Sequence, residues 1–158
     1  MDLLKKLSRA EKKLIKEAVE AELERYRIYK TTAFVRREAN VTSRPEPRYH
    51  GPTNETSDQT GSIAAYNVDE LRRREAFCIA VEEATSRLPK KEAFLVKERY
   101  LNLESDYVTD LGMYTFKFDP PISEGTYVKI RDRSMLKLAL ILRVKCGVDF
   151  NALFREGG

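Results

Sequence analysis

Residues 122–142, ISEGTYVKIRDRSMLKLALIL, limit this chain's folding options more than any other stretch. They have the length of one helix, a defined start and two chemically different faces. Ser123 is an N-cap residue, because its hydroxyl can accept from the free amides of a first turn. Glu124 places negative charge at the positive end of the helix dipole. Tyr127, Ile130, Ser134 and Leu138 recur at spacings of three and four and share one face. Gly125, Val128, Lys129 and Asp132 lie opposite, with Thr126 and Arg133 on a flank. The small first turn (Ser, Glu, Gly, Thr) permits close approach of another molecule. Lys129, Arg131, Arg133 and Lys137 follow within three turns, where they suit a polyanion running past the helix. A helix entering a DNA major groove N-terminus first is built this way. By itself the stretch is explained slightly better by an amphipathic core helix with a solvated charged face; its neighbours shift the balance.

Residues 109–116, TDLGMYTF, form a second, shorter candidate helix. Thr109 caps it, Asp110 favours its dipole, and Leu111, Tyr114 and Phe118 are the expected core contacts. Gly112 weakens it by roughly 1 kcal/mol relative to Ala. The break KFDPPI follows, where Pro120 and Pro121 stop the helix and bias their predecessors to extended conformations. It is longer than the usual turn of three to four residues. Upstream, Leu88-Pro89 opens the helical stretch KKEAFLVKERYL, with Ala93, Phe94, Val96, Tyr100 and Leu101 as its apolar stripe. Residues 69–88 are helical again, with Leu71, Phe77, Cys78, Val81, Ala84 and Thr85 inward. Four helices thus end in a helix–break–capped-helix unit.

The ordered set Leu88-Pro89, Arg99-Tyr100-Leu101, Thr109-Asp110, Ile122-Ser123, Thr126-Tyr127, Ile130-Arg131 and Lys137-Leu138-Ala139 resembles the promoter-binding fourth region of bacterial sigma factors. It is more closely similar to the ArpU/RinA-type late transcriptional regulators of phages of Gram-positive bacteria. The similarity covers residues 69–142, and the departure from the pattern is the longer turn at residues 117–121. The N-terminal half shares that family's plan of a long charged helix followed by a polar Pro/Thr/Ser stretch. The resemblance implies a sigma-like helix-turn-helix, a phage or prophage origin, and activation of late genes by binding double-stranded DNA, with host RNA polymerase as a further candidate partner.

Composition excludes several alternatives. With one histidine, His50, and two cysteines, Cys78 and Cys146, there is no plausible zinc ligand set. His50 lies in a polar, Pro-rich segment, so nucleophilic catalysis through it is a remote option. No phosphate-cradling Gly-rich loop is present. Carboxylates are dispersed among Lys and Arg, as in helix-surface pairing. The expectation is therefore a non-enzyme without cofactor or metal. No apolar run spans a bilayer and no apolar leader opens the chain, which places it in the cytoplasm of a bacterial host cell. The net charge of +4 permits nucleic-acid binding without demanding it. Residues 1–48 carry thirteen Lys/Arg against eight Asp/Glu, and residues 49–158 carry sixteen against seventeen. A DNA-reading unit in the second half must therefore gather its cations on one surface.

The remainder divides into an N-terminal helical arm (residues 1–40), a flexible polar linker (41–67), the DNA-binding unit (68–146) and a C-terminal tail (147–158). Leu4, Leu7, Leu14, Ile15, Ala18, Val19, Tyr26, Tyr29 and Phe34 lie mostly on one broad side of a single helix from Leu3 to Glu38. That side must pack on the second half or on another subunit, which would make a homodimer. Arg25, Arg27, Lys30, Arg36 and Arg37, interleaved with aromatics, suit either a solvated helix face, the favoured option, or phosphate contacts. The reading is an all-α fold, a long N-terminal helix plus a sigma-region-four-like bundle, acting as a sequence-specific DNA-binding transcriptional regulator on double-stranded DNA. Ser123 and the helix start would anchor a phosphate. Glu124, Gly125, Thr126, Val128 and Lys129 would face base edges, and Arg131, Arg133 and Lys137 would contact phosphates. The alternatives are a phage small terminase subunit that recognises packaging-site DNA, and a helical adaptor that binds RNA polymerase.

Overall fold

Leu4 and Leu7 are buried but do not belong to the long first helix. A 3-10 turn, Leu3–Lys6, ends at an extended Leu7, and a new helix, α1 (Arg9–Thr42), begins. Its start is a capping box: the Ser8 hydroxyl accepts from the Glu11 amide, and the Glu11 carboxylate accepts from the Ser8 amide. The S-x-x-E spacing that writes this break is present in the sequence, so the single helix expected from Leu3 is divided at Ser8.

The computed structural model describes the backbone of residues 2–42 and 57–155 and the side chains of residues 2–32 and 68–155. Phe34, Arg36, Arg37, His50 and the whole expected linker lie outside the described side chains. All regular elements among the described residues are helical. α2 (Ser57–Ser86) starts twelve residues before the expected Asp69, so the helix takes in residues assigned to the linker. α3 (Lys90–Val96) runs on into a wide π turn, Lys97–Leu101. α4 (Asp110–Gly112) does the same through Met113–Lys117. α5 (Glu124–Ile141) is the capped helix of the opening argument, and α6 (Phe150–Arg155) lies in the tail. α5 ends where the Val144 amide reaches back to the Ala139 carbonyl and Arg143 takes φ +54°, the Schellman arrangement with an arginine at the position glycine favours.

α1 is not a separate arm. Ile15, Val19, Leu23 and Tyr26 share one continuous core with Val81, Leu95, Tyr100, Tyr127 and Leu138. α1 packs chiefly on α5, and also on α2 and the turn after α3. Of the apolar side that motivated a homodimer, Leu4, Leu7, Ile15, Val19 and Tyr26 are buried in the chain's own core. Leu23, fully buried, was absent from the expected stripe, whereas Leu14 is exposed. Among the described residues of late α1, Arg25, Arg27 and Lys30 make contacts within the fold. Arg27 donates to the Tyr100 carbonyl at 2.6 Å, Lys30 pairs with Glu82 at 2.8 Å, and the Arg25 guanidinium sits 5.4 Å from the Phe77 ring.

Candidate nucleic-acid interface

The π turn that extends α4 is joined to α5 by a six-residue connection, residues 118–123, which the fold secures. The Phe118 ring is buried edge-on against both Phe94 and Tyr127. The Ile122 amide donates to the Tyr114 carbonyl at 3.1 Å. Thr109 caps α4 by accepting from the Gly112 amide. Met113, the first residue of the π turn that follows α4, is fully buried, while Leu111, expected inside, is 61% exposed. The wide turn explains the exchange, because the Phe118 amide bonds to the Met113 carbonyl five residues back and shifts the 3.6-residue phase.

Asp110 is the fixture that sets α5 against its platform. Its carboxylate accepts from the Tyr127 hydroxyl at 2.7 Å and from Arg99 Nε at 3.1 Å, and lies 3.5 Å from Arg131. Three elements therefore meet at one charge. Burial alone would raise the Asp110 pKa. The hydrogen bonds from Tyr127 and Arg99, with the charges of Arg99 and Arg131, outweigh it and hold the carboxyl below its ordinary range. Burial and the Asp110 carboxylate push the Tyr127 hydroxyl far up, so it remains a donor. Residue types alone hinted at Arg99, Asp110, Tyr127 and Arg131 as an ordered pattern; their meeting at one point is a tertiary fact.

This fixture corrects one expected contact. Arg131 does not reach outward: it is only 16% exposed and is held between Asp110 and Asp132. Its Nε is buried without an acceptor. Lys137 is likewise tied, with Nζ 2.8 and 3.0 Å from the two carboxylate oxygens of the buried Glu92 on α3. Both lie beside the core face of α5, where carboxylates from α3 and α4 are nearer than any external phosphate. Arg133 is half exposed and 3.5 Å from Asp2.

The first turns of α5 are open. Ser123, Glu124, Gly125, Thr126 and Lys129 are exposed and Val128 is half-buried. The Ser123 hydroxyl accepts from the Thr126 amide at 3.2 Å and donates to Thr126 Oγ1 at 2.9 Å, so the side chain is used as a cap. The amides of Glu124 and Gly125 have no acceptor among the described residues. A Cβ at Gly125 would meet nothing within 4 Å. Neither Lys129 nor Glu124 forms an ion pair within the described residues. The structure thus leaves Ser123, Glu124, Gly125, Thr126, Lys129 and Arg133 exposed and Val128 half-buried. Arg131 is turned inward, and Lys137, 43% exposed, is held by Glu92. Among the described residues no cluster of His, Cys, Asp or Glu is placed to hold a metal ion. No helix there is long and apolar enough to cross a membrane. No protein-family model matches the chain, and neither the curated proteins nor the solved structures contain a significant match to it.

Proposed function

We propose that the protein is a sequence-specific double-stranded DNA-binding transcriptional regulator, of phage or prophage origin, that reads DNA with the first turns of α5. The observation that carries this reading is the contrast within α5. Its inner face is fixed by Tyr127, Asp110 and Glu92, while its start presents small side chains, two unsatisfied amides and one unpaired lysine. A rigid platform with an open, sterically small helix start is what insertion into a major groove requires. The Glu124 and Gly125 amides would donate to a phosphate. Gly125, Thr126, Val128 and Lys129 would face base edges, and Arg133 would exchange Asp2 for a backbone phosphate.

The test is selection of bound fragments from the source genome by the purified protein at about 0.15 M salt. The expected result is one short enriched site near late-gene promoters. Lys129→Ala should then relax preference within that site, at a cost of roughly 1–3 kcal/mol. Arg133→Ala should weaken all sequences alike and lower the salt slope by about one. Equal, negligible losses from both changes would sink the assignment. An enriched site within the packaging module, bound by a ring of many subunits, would instead make the protein a small terminase subunit.

One observation favours a second reading, a helical adaptor for RNA polymerase or another protein. Tyr107 is 90%, Leu111 61% and Phe116 81% exposed within ten residues of sequence around α4, an unusual outlay of apolar surface. Binding that disappears at about 0.15 M salt with no enriched site would put this reading first.

A further inference from the structure

The second half of the chain is close to neutral, yet its cations are not evenly spread. Lys129, Arg133 and Lys137 recur every four residues along α5 and form a stripe about 12 Å long. At the far end of that stripe, Lys137 is clasped by Glu92, the third residue of α3. This clasp brings the α2–α3 corner against α5. The corner holds Arg87, Lys90 and Lys91, all exposed and all without an ion pair among the described residues. Arg87 closes the last turn of α2, its amide bonded to the carbonyls of Glu83 and Ala84. Lys90 and Lys91 open α3 directly after Leu88 and Pro89, and the buried Leu88 pins the corner to the core. The acidic groups nearby are Glu83 on α2, Glu92, which is spent on Lys137, and Asp2, which is spent on Arg133. The corner thus carries three unpaired cations, and the ion pair between the buried Glu92 and the half-exposed Lys137 fixes it to the far end of the α5 stripe.

We propose that the α2–α3 corner is a second nucleic-acid contact, a phosphate-backbone clamp in which Arg87, Lys90 and Lys91 grip the strand flanking the site that α5 reads. The proposal rests on the DNA-binding reading and extends it from base recognition to register. Contacts to phosphates carry no sequence information and fix how a protein sits on the duplex. The corner is suited to that role because its side chains are long, free and mounted on two helix ends. The Glu92–Lys137 pair keeps it at a set distance from the base-reading turns. It also explains how a nearly neutral half-chain could bind a polyanion: the cations are gathered at one end of the reading helix instead of being added to the total.

The experiment compares dissociation constants for a selected fragment and a scrambled one, between about 0.05 and 0.2 M salt. The proteins are the wild type, Lys90→Gln/Lys91→Gln, and Arg72→Gln/Arg73→Gln. The last pair removes the same charge from exposed positions on α2, about 22 Å before Arg87. The corner variant should weaken both fragments by the same factor, about tenfold, and lower the salt slope by about two. The α2 variant should change either constant less than about twofold. Unchanged constants and slope in the corner variant, while the wild type binds its fragment specifically, would overturn the clamp and leave the reading by α5 standing. Equal losses from both pairs would overturn it as a general charge effect. Loss confined to the selected fragment would overturn the backbone assignment. A wild type that binds neither fragment would remove the DNA reading itself and the clamp with it.

Discussion

Tyr127→Phe deletes one hydroxyl and leaves a fully buried ring in place, so it isolates what the Asp110 fixture is worth. The lost bond is 2.7 Å long and ends on a carboxylate. Bonds to charged groups contribute about 1.5–3 kcal/mol. Asp110 keeps two guanidinium partners and its side chain is 39% exposed. Water therefore replaces part of the loss, and the expected cost is about 1–2 kcal/mol. For a chain of this length each kcal/mol moves Tm by about 2–4 °C, so thermal unfolding followed by circular dichroism should show a drop of about 3–6 °C. Asp110→Ala removes the shared acceptor and leaves Arg99, 24% exposed, with the Ser105 carbonyl and Arg131, 16% exposed, with Asp132. That change should cost about 2–4 kcal/mol. The double variant should cost about 1 kcal/mol less than the sum of the two, because both remove the same bond. A Tyr127→Phe shift under about 1 °C, or strict additivity, would show that Asp110 does not hold α5 as described.

Gly125→Ala should separate stability from function. The added methyl meets no protein atom, and Ala is favoured over Gly in a helix by up to about 1 kcal/mol, so Tm should hold or rise. DNA affinity should fall if this helix start enters a groove; a lower Tm, or unchanged affinity for a selected site, would count against the open first turn. The pH dependence of stability should carry the mark of Asp110. Its folded pKa lies below the ordinary 3.8, so its contribution is complete above that value and is lost as pH falls through the folded value. In urea unfolding, the wild type's margin over Asp110→Asn should be level between about pH 7 and 5 and shrink below about pH 4. A margin unchanged down to about pH 2.5 would refute the depressed carboxyl.

Local chemistry made much of this fold legible. Ser123 and Glu124 marked the start of α5, Thr109 capped α4, and the Tyr127, Ile130, Ser134, Leu138 period identified the buried face correctly, because caps and a 3.6-residue repeat act over neighbouring residues. The break at Ser8 was equally local and could be found from S-x-x-E. Leu111 and Met113 exchanged places because a π turn shifts the phase within a single short helix, which periodicity does not encode. The sequence by itself therefore determined an all-helical chain and the open, small-residue start of α5. Only the tertiary structure decided that α1 lies in the same core and that Arg131 and Lys137 are paired with Asp110 and Glu92. A cation's availability to a ligand depends on which carboxylate lies within about 4 Å. Those carboxylates are brought from 21 and 45 residues away by burial of the apolar faces.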